Sequence, residues 1–574
     1  MKYIRPYLAY FILGPFCMII EVIGEMLMPI FLATIINRAN NGELTIESSL
    51  GIAGLMILTA LIMMAGGVGG SYFGSKASVN FAADLRADVY QKVQTFSFAS
   101  IDKFSTGSLV TRLTNDVTQI QNMVNMMLRM MLRAPGMLIG GLIMAISLNP
   151  SLSVVLAVSI PILLLSVGTL VYSGFTRFAK MQTKIDNLNN TVKENITNMR
   201  VVKSFVRESH EEVKFKNANS ELKDAGMNAM KIMIFMTPVM TLIMNLTTLA
   251  VIWFGGKMVL NVGMDVGDLS AFITYVAQIL SSLMMVTMMF MMSSRALASA
   301  KRIREVLDEE TDLTDIYAKH PEKEVTIGNI EFKDVTFRYN KTSEEPVLNK
   351  ISLQISAGTT VGIIGSTGSG KTTLVSMIPR LYDPDEGSVL VDGVDVKDYS
   401  LYNLREGIGM VLQKNVLFSG TISENLRWGD HTATDEEIKI AAEYAQADKF
   451  VQGFQAKYDH MLDQGGTNVS GGQKQRLCIA RTLLKKPKIL IFDDSTSAVD
   501  TATEAQIRRA FREELSDSTK IIIAQRISSV MEADTIIVMN DGYITGIGDH
   551  ATLLAENTEY QEIYYSQMEK KEGK

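Results

Sequence analysis

The feature that most constrains this chain is a row of six apolar runs, near residues 8–36, 50–75, 124–147, 151–173, 232–257 and 268–293. Each supplies the roughly 20 residues with which a helix crosses a bilayer. Hydrocarbon offers no partner to a backbone N–H or C=O, so such runs must bond internally as helices. Their connections alternate in character. Segments 76–120 and 174–230 are long and rich in charge, whereas 37–49, 148–150 and 258–267 are short with few Lys or Arg. By the positive-inside rule the long connections and both termini face the cytoplasm. The start, Met1-Lys2-Tyr3-Ile4-Arg5, is basic. The apolar run behind it is too long for a signal-peptide core and lacks a small-residue cleavage site, so it is expected to remain as the first span. No peptidase domain is expected ahead of it.

At 574 residues the chain exceeds one domain. The expected division is a membrane domain over 1–305, a linker over 306–324 and a soluble α/β domain over 325–574. A charged helical stretch from Arg295 to about Glu310 leads out of the sixth span. The net charge of −6 offers no basic surface, which argues against nucleic acid as a partner. Cys17 and Cys478 are the only cysteines, too few for a disulfide framework or a zinc site.

Within the spans, Glu21 and Glu25 lie one helical turn apart on one face. A carboxylate at membrane depth is costly and faces the bundle interior or water. Recognition of a cationic substrate and a structural pairing with another span are both open readings. The methionines Met284, Met285, Met288, Met289, Met291 and Met292, and Met233, Met236, Met240 and Met244, recur at helical spacing. Flexible thioethers suit either a surface that fits many apolar shapes or ordinary packing; Met285 and Met289 are the substrate candidates. Gly66, Gly67, Gly69 and Gly70 allow close helix contact.

In the soluble half, the apolar strand Val361-Gly362-Ile363-Ile364 feeds Gly365-Ser366-Thr367-Gly368-Ser369-Gly370-Lys371-Thr372, followed by Thr373. This is a P-loop between strand and helix. Its glycines let backbone N–H groups close around phosphates at a helix N-terminus. Lys371 would reach the β- and γ-phosphates of ATP, and the Thr372 hydroxyl would bind Mg²⁺. Asp493, ending the apolar strand Lys488-Ile489-Leu490-Ile491-Phe492, is a second phosphate-site element.

The run Val469-Ser470-Gly471-Gly472-Gln473-Lys474-Gln475-Arg476 resembles the signature of ATP-binding cassette (ABC) proteins. The resemblance covers essentially the whole chain, since six spans followed by one cassette is the layout of an exporter-type half-transporter. It implies a six-helix all-α transmembrane domain followed by an α/β P-loop nucleotide-binding domain. It also implies roles. Tyr339 would stack on adenine, Gln413 would sense Mg²⁺ and γ-phosphate, and Ser497-Ala498-Val499-Asp500 would cross between paired cassettes. Ser470, Gly471, Gly472 and Gln473 would close on ATP held by a partner's P-loop. Thr106-Gly107-Ser108-Leu109 with Arg112 and Asp116, and Val202-Lys203-Ser204-Phe205, resemble the family's intracellular loops, with short coupling helices expected near 100–106 and 205–212.

Two positions depart from the family. Asp494 stands where the family has the Glu that polarises attacking water, and Gln525 where it has the switch His. The Asp side chain is one methylene shorter, which withdraws the carboxylate by roughly 1.5 Å. A misplacement of about 1 Å can cost on the order of 100-fold in rate. Gln525 can still hydrogen-bond, but it cannot carry the charge or proton of an imidazole. His550, in Gly548-Asp549-His550, fits a separate family segment. A further departure, Asp463-Gln464-Gly465-Gly466, replaces the usual Glu-Arg-Gly loop before the signature. Because Ser470–Gln473 is intact, the expected assembly is a heterodimeric bacterial multidrug exporter in the plasma membrane. Its partner half-transporter would keep the Glu and the His, its setting is the lipid bilayer, and its substrates would be amphipathic small molecules: drugs, cationic ones included, or lipid-like compounds. A homodimeric lipid or peptide flippase and an ATP-gated channel or regulatory subunit are the rivals; the six spans exclude a soluble ABC ATPase.

Overall fold

The computed structural model describes residues 2–261, 263–341, 343–494 and 501–572. The chain divides into two units, Met1–Gln94 with Gly107–Asp308, and Thr95–Thr106 with Glu309–Lys574.

The first unit is helical: α1 (Leu8–Asn40), α2 (Ile46–Gln94), α4 (Thr106–Thr111), α5 (Val117–Met130), α6 (Arg133–Leu148), α7 (Val154–Thr197), α8 (Met199–Ser204), α9 (Glu208–Leu260) and α10 (Val266–Leu307). The intervening α3 (Phe98–Lys103) belongs to the second unit. Among the described residues, six helical stretches are long and apolar enough to cross a membrane: Arg5–Asn40, Ile46–Gln94, Thr106–Leu148, Val154–Thr197, Glu208–Leu260 and Val266–Val286. Several run well past the apolar segments. The 49 residues of α2, at 1.5 Å each, measure roughly 74 Å against a hydrocarbon core of about 30 Å. Its polar continuation beyond residue 75 is therefore the same helix carried out of the apolar layer.

The unit's core gathers Val22, Met26, Met137, Leu152, Leu156, Phe272, Tyr275 and Ile279. Contacts run between α1 and α2, α7 and α9, α6 and α10, and α1 and α10. The α1–α2 approach depends on glycine. A Cβ at Gly66 would lie 2.9 Å from the Cys17 carbonyl oxygen, and one at Gly70 would strike Met18. This is the close contact expected of small residues at a helix interface.

In the second unit, β1 (Ile330–Phe337), β2 (Leu348–Ile355), β4 (Glu386–Val391) and β5 (Val394–Asp395) form an antiparallel sheet in the order β2-β1-β4-β5. A second sheet has the order β12-β11-β3-β10-β9-β6. Its strands are β3 (Thr360–Gly365), β6 (Ile408–Val411), β9 (Ile489–Asp493), β10 (Thr519–Ile523), β11 (Thr535–Asn540) and β12 (Tyr543–Gly548). All but β12 run parallel. The short β7 (Gly420–Thr421) and β8 (Met461–Leu462) pair separately. Strand β9 is buried throughout and alternates between two cores. Ile489 and Ile491 pack with the antiparallel sheet, while Leu490 and Phe492 pack under helices on the other face. A parallel strand covered on both faces reads as a continuous apolar run, which is why Ile489–Phe492 carries no polar residue.

Residues 306–324, read from sequence as a linker, are divided: α10 extends to Leu307, and from Glu309 the chain belongs to the second unit. There Leu313 is buried and the Asp315 carboxylate accepts from the Leu401 N–H at 3.0 Å. Helix α3 is held in the same unit. Ser97 caps its N-terminus, the Tyr382 hydroxyl donates to Asp102 at 2.9 Å, and Lys103 pairs with Glu309 at 2.6 Å. The second short helix corrects the expected 205–212. It is α8, Met199–Ser204; the chain turns at Val206, φ +51°, and α9 has begun by Glu208. A β-branched residue in the left-handed region is uncommon and nothing local announces it.

Candidate nucleotide site

Parallel strands deliver their C-terminal ends to one edge of a sheet, where loops of α/β folds bind ligands. Along that edge, the neighbours β3, β10, β9 and β6 release Gly365, Ala524-Gln525, Asp493-Asp494 and Leu412-Gln413 in turn. Register brings them level: Ile523 pairs with both Ile363 and Asp493. Residues more than 100 positions apart in sequence thus become one cluster.

The loop after β3 turns through Gly368, φ +87°, and Gly370, φ +93°, into α11 (Lys371–Ser376). A Cβ at Gly370 would lie 2.8 Å from the Val347 carbonyl oxygen, so glycine is required for both space and conformation. Lys371 Nζ donates to the carbonyls of Gly365, at 2.9 Å, and Ser366, at 2.5 Å. Burial pushes its ammonium down, against the opposing pull of Asp493 and Asp494. Thr372 Oγ1 donates to Asp493 Oδ1 at 2.9 Å. Burial raises the Asp493 carboxyl despite that bond, and the Asp494 charge raises it further. The hydroxyl and carboxylate oxygens of this pair are hard donors suited to Mg²⁺, which takes one or two protein ligands plus phosphate oxygens.

Asp494 adopts φ +47°, and its N–H donates to the Ile523 carbonyl at 3.0 Å. Gln525 Nε2 donates to Asp494 Oδ2 at 2.9 Å, and Gln413 also hydrogen-bonds the carboxyl. Burial raises the Asp494 carboxyl, opposed by Gln413, Lys371, Arg526 and Gln525. The two residues that depart from the family pattern therefore touch each other.

Tyr339 leaves one side of its ring open. It is 53% exposed, packs edge-on against Phe337 and Tyr382, and is fixed by a 3.0 Å contact from its hydroxyl to Thr373 Oγ1. Ser470 caps the helix Gly471–Leu484 through a capping box. Its Oγ accepts from the Gln473 N–H at 3.3 Å, and its own N–H donates to Gln473 Oε1 at 2.9 Å. A capped helix N-terminus directs free N–H groups and positive potential outward, an arrangement suited to phosphate. In the preceding loop Gly465 and Gly466 both have positive φ, +73° and +63°. Glycine adopts this left-handed backbone without the steric cost a side chain would bring. His550 is engaged structurally, its Nδ1 lying 2.7 Å from the Tyr560 hydroxyl. Ser497–Asp500 lie outside the described residues.

In the membrane unit, Glu21 and Glu25 do converge, and both pair with Arg133. The Nη1–Oε1 distance to Glu21 is 3.1 Å and the Nη2–Oε1 distance to Glu25 is 2.6 Å. Sequence reasoning missed Arg133, although a cation inside the apolar run 124–147 was the available signal. Asp116 accepts from Ser299 at 2.9 Å and Arg302 at 2.8 Å, and Arg112 pairs with Glu305 at 3.2 Å, tying this loop to α10. The methionines divide. Met240 is buried, Met236, Met244 and Met284 pack at the core's margin, and Met233 is exposed. Met285 and Met289 are half-buried, and the side chains of Met288, Met291 and Met292 lie outside the described set.

Two family profiles match the chain: the ABC transporter transmembrane region over residues 11–283 and the ABC transporter domain over 348–497. The chain belongs to the ABC transporter family. An uncharacterized ABC transporter ATP-binding protein of Mycobacterium tuberculosis is 39% identical over 99% of this chain and 97% of its own length. A Mycobacterium bovis protein named as a fatty acid ABC transporter ATP-binding/permease protein is 35% identical over 83% of this chain and 75% of its own. Among solved structures, a bacterial Atm1-family ABC exporter with ATP bound superposes with a TM-score of 0.78 at 26% identity, covering 98% of each chain. The protein is thus an ABC exporter half-transporter, a multi-pass membrane protein whose cassette binds ATP.

Proposed function

We propose that this half-transporter is the degenerate-site subunit of a heterodimeric bacterial exporter in the plasma membrane, with both termini cytoplasmic. The observation that carries this reading is the Asp494–Gln525 pair, bonded at 2.9 Å, in a chain whose Ser470–Gln473 is intact and capped. Lys371 and the backbone N–H groups from Gly365 to Thr373 would hold the ATP phosphates. Tyr339 would take the adenine, and Thr372, Asp493 and Gln413 would hold Mg²⁺. Bound Mg²⁺ would offset phosphate charge. A water beside the γ-phosphate would meet a carboxylate that is set back and already bonded to two amides. This site would retain ATP and hydrolyse it slowly, while Ser470–Gln473 completes a competent site on a partner cassette that keeps the Glu and the His. ATP favours the closed cassette pair, and that differential affinity drives alternating access.

The substrate is an amphipathic, lipid-like or drug-like small molecule. The M. bovis relative named for fatty acids supports the lipid-like end of that range. Arg133 supports it as well, because it already neutralises one of the two glutamates and so weakens the case for a cationic cargo. The test is ATP hydrolysis by the purified chain alone and with a half-transporter that keeps the Glu and the His. The expected result is slow hydrolysis alone, much faster hydrolysis by the pair, and a gain in the isolated chain on Asp494→Glu with Gln525→His. Vigorous hydrolysis by the unmodified chain alone would favour a homodimeric lipid or peptide flippase and overturn the heterodimer.

A further inference from the structure

The switch segment after β10 is held from outside the sheet by the helix Thr558–Glu572. Gln567, on that helix, grips the backbone on both sides of Arg526. Its Nε2 donates to the Gln525 carbonyl at 2.9 Å, and its Oε1 accepts from the Ile527 N–H at 2.9 Å. Both ends of one amide are satisfied by one stretch of main chain, a two-point contact that fixes orientation as well as distance. The mount is rigid. On the same helix Tyr560 is fully buried, Ile563 and Tyr564 pack against the helical-face core, and Glu559 accepts from Asn540 at 3.0 Å. The helix and the P-loop line a common cavity of about 360 Å³, with Gly365, Ser366, Thr367 and Gln525 on one side and Glu559 and Gln567 on the other.

We propose that Gln567 is a positioning residue for the nucleotide site: it fixes the main chain of Gln525 so that the Gln525 amide stays on Asp494. Gln567, Gln525 and Asp494 then act as one relay, and the C-terminal helix sets where the Asp494 carboxylate points. This inference rests on the proposed role of Asp494 at a slow nucleotide site. It adds a residue that belongs to none of the recognised motifs. Gln567 bonds the main chain of Gln525 and Ile527 and acts on Asp494 through Gln525.

The relay is tested in the full-length chain reconstituted in lipid nanodiscs, with Mg²⁺-ATP as the probe. Gln567→Ala removes both main-chain bonds and should speed exchange of the Ile527 amide by about threefold or more, whereas Gln567→Glu keeps the acceptor and should hold that amide near its unmodified rate. Gln525→Ala and Gln567→Ala should each lower the residual kcat by about threefold or more with KM for ATP unchanged, because the P-loop is untouched while the carboxylate loses its orientation. The double variant should go no further than either single one. Asp494→Ala, which leaves every bond of Gln567 in place, should speed exchange of the Ile527 amide by about threefold or more. A Gln567→Ala variant with unchanged kcat, effects that add in the double variant, or an Ile527 amide indifferent to Asp494→Ala would each overturn the relay. Vigorous hydrolysis by the unmodified chain rejects the slow-site reading instead, because the relay is read in the comparison of variants and in exchange.

Discussion

Replacing Arg133 by methionine removes the one cation from a cluster of two carboxylates inside the membrane unit. The side chains are well covered: Arg133 is 28% exposed, Glu21 15% and Glu25 17%, with ion-pair distances of 3.1 and 2.6 Å. Among the described residues, Glu21 Oε2 and Glu25 Oε2 are buried without a hydrogen-bond partner, so the guanidinium is the main compensation these carboxylates have. Breaking a buried pair by removing one partner costs about 3–5 kcal/mol, most of it from the charge left behind. Here two like charges one helical turn apart are left, which places Arg133→Met toward the upper end of that range. For a unit of this size the loss corresponds to a fall of roughly 5–15 °C in apparent midpoint. The assay is the fraction of protein that stays monodisperse by size exclusion after stepwise heating in detergent. Glu21→Gln alone should be mild, because it leaves one carboxylate for one guanidinium. The triple variant Glu21→Gln, Glu25→Gln, Arg133→Met should recover most of the lost stability, since no charge remains to be compensated. Wild-type stability in Arg133→Met, or a triple variant as unstable as the single, would refute the reasoning and return the glutamates to an independent role in binding.

Two further outcomes follow from the cassette. Tyr339→Ala should weaken ATP binding by about 1–2 kcal/mol, roughly tenfold, while Tyr339→Phe keeps most of the affinity, because the open ring face rather than the hydroxyl meets the base; fluorescent-nucleotide titration checks it, and equal affinity in the alanine variant excludes stacking. Gly370→Ala should cost about 1–3 kcal/mol in the P-loop, given φ +93° and a Cβ placed 2.8 Å from the Val347 carbonyl. Nucleotide binding should fall sharply while the heat resistance of the membrane unit is unchanged; retained binding would mean the loop can open without strain.

The parts of this protein legible in its sequence are those whose chemistry is local. A P-loop declares itself because the glycines, lysine and threonine that surround phosphate are consecutive, from Gly365 to Thr372. Six spans declare themselves because hydrocarbon penalises every exposed backbone group in one continuous run. What stayed hidden required partners brought together by folding. Glu21 and Glu25 are found on one face by helical spacing alone, but their charge balance depends on Arg133, 108 residues from Glu25. The same holds at the nucleotide edge. Asp494 and Gln525, read separately, are two losses: a carboxylate set back by a methylene and an imidazole replaced by an amide. Pairing β10 beside β9 puts them 2.9 Å apart, and the second loss becomes the hydrogen-bond donor for the first. A shortened acid facing a histidine would still have a proton acceptor beside it; facing a glutamine it has only a donor. The two substitutions are therefore chemically matched, and restoring either alone leaves the site with one partner suited to hydrolysis and one suited to holding a carboxylate still.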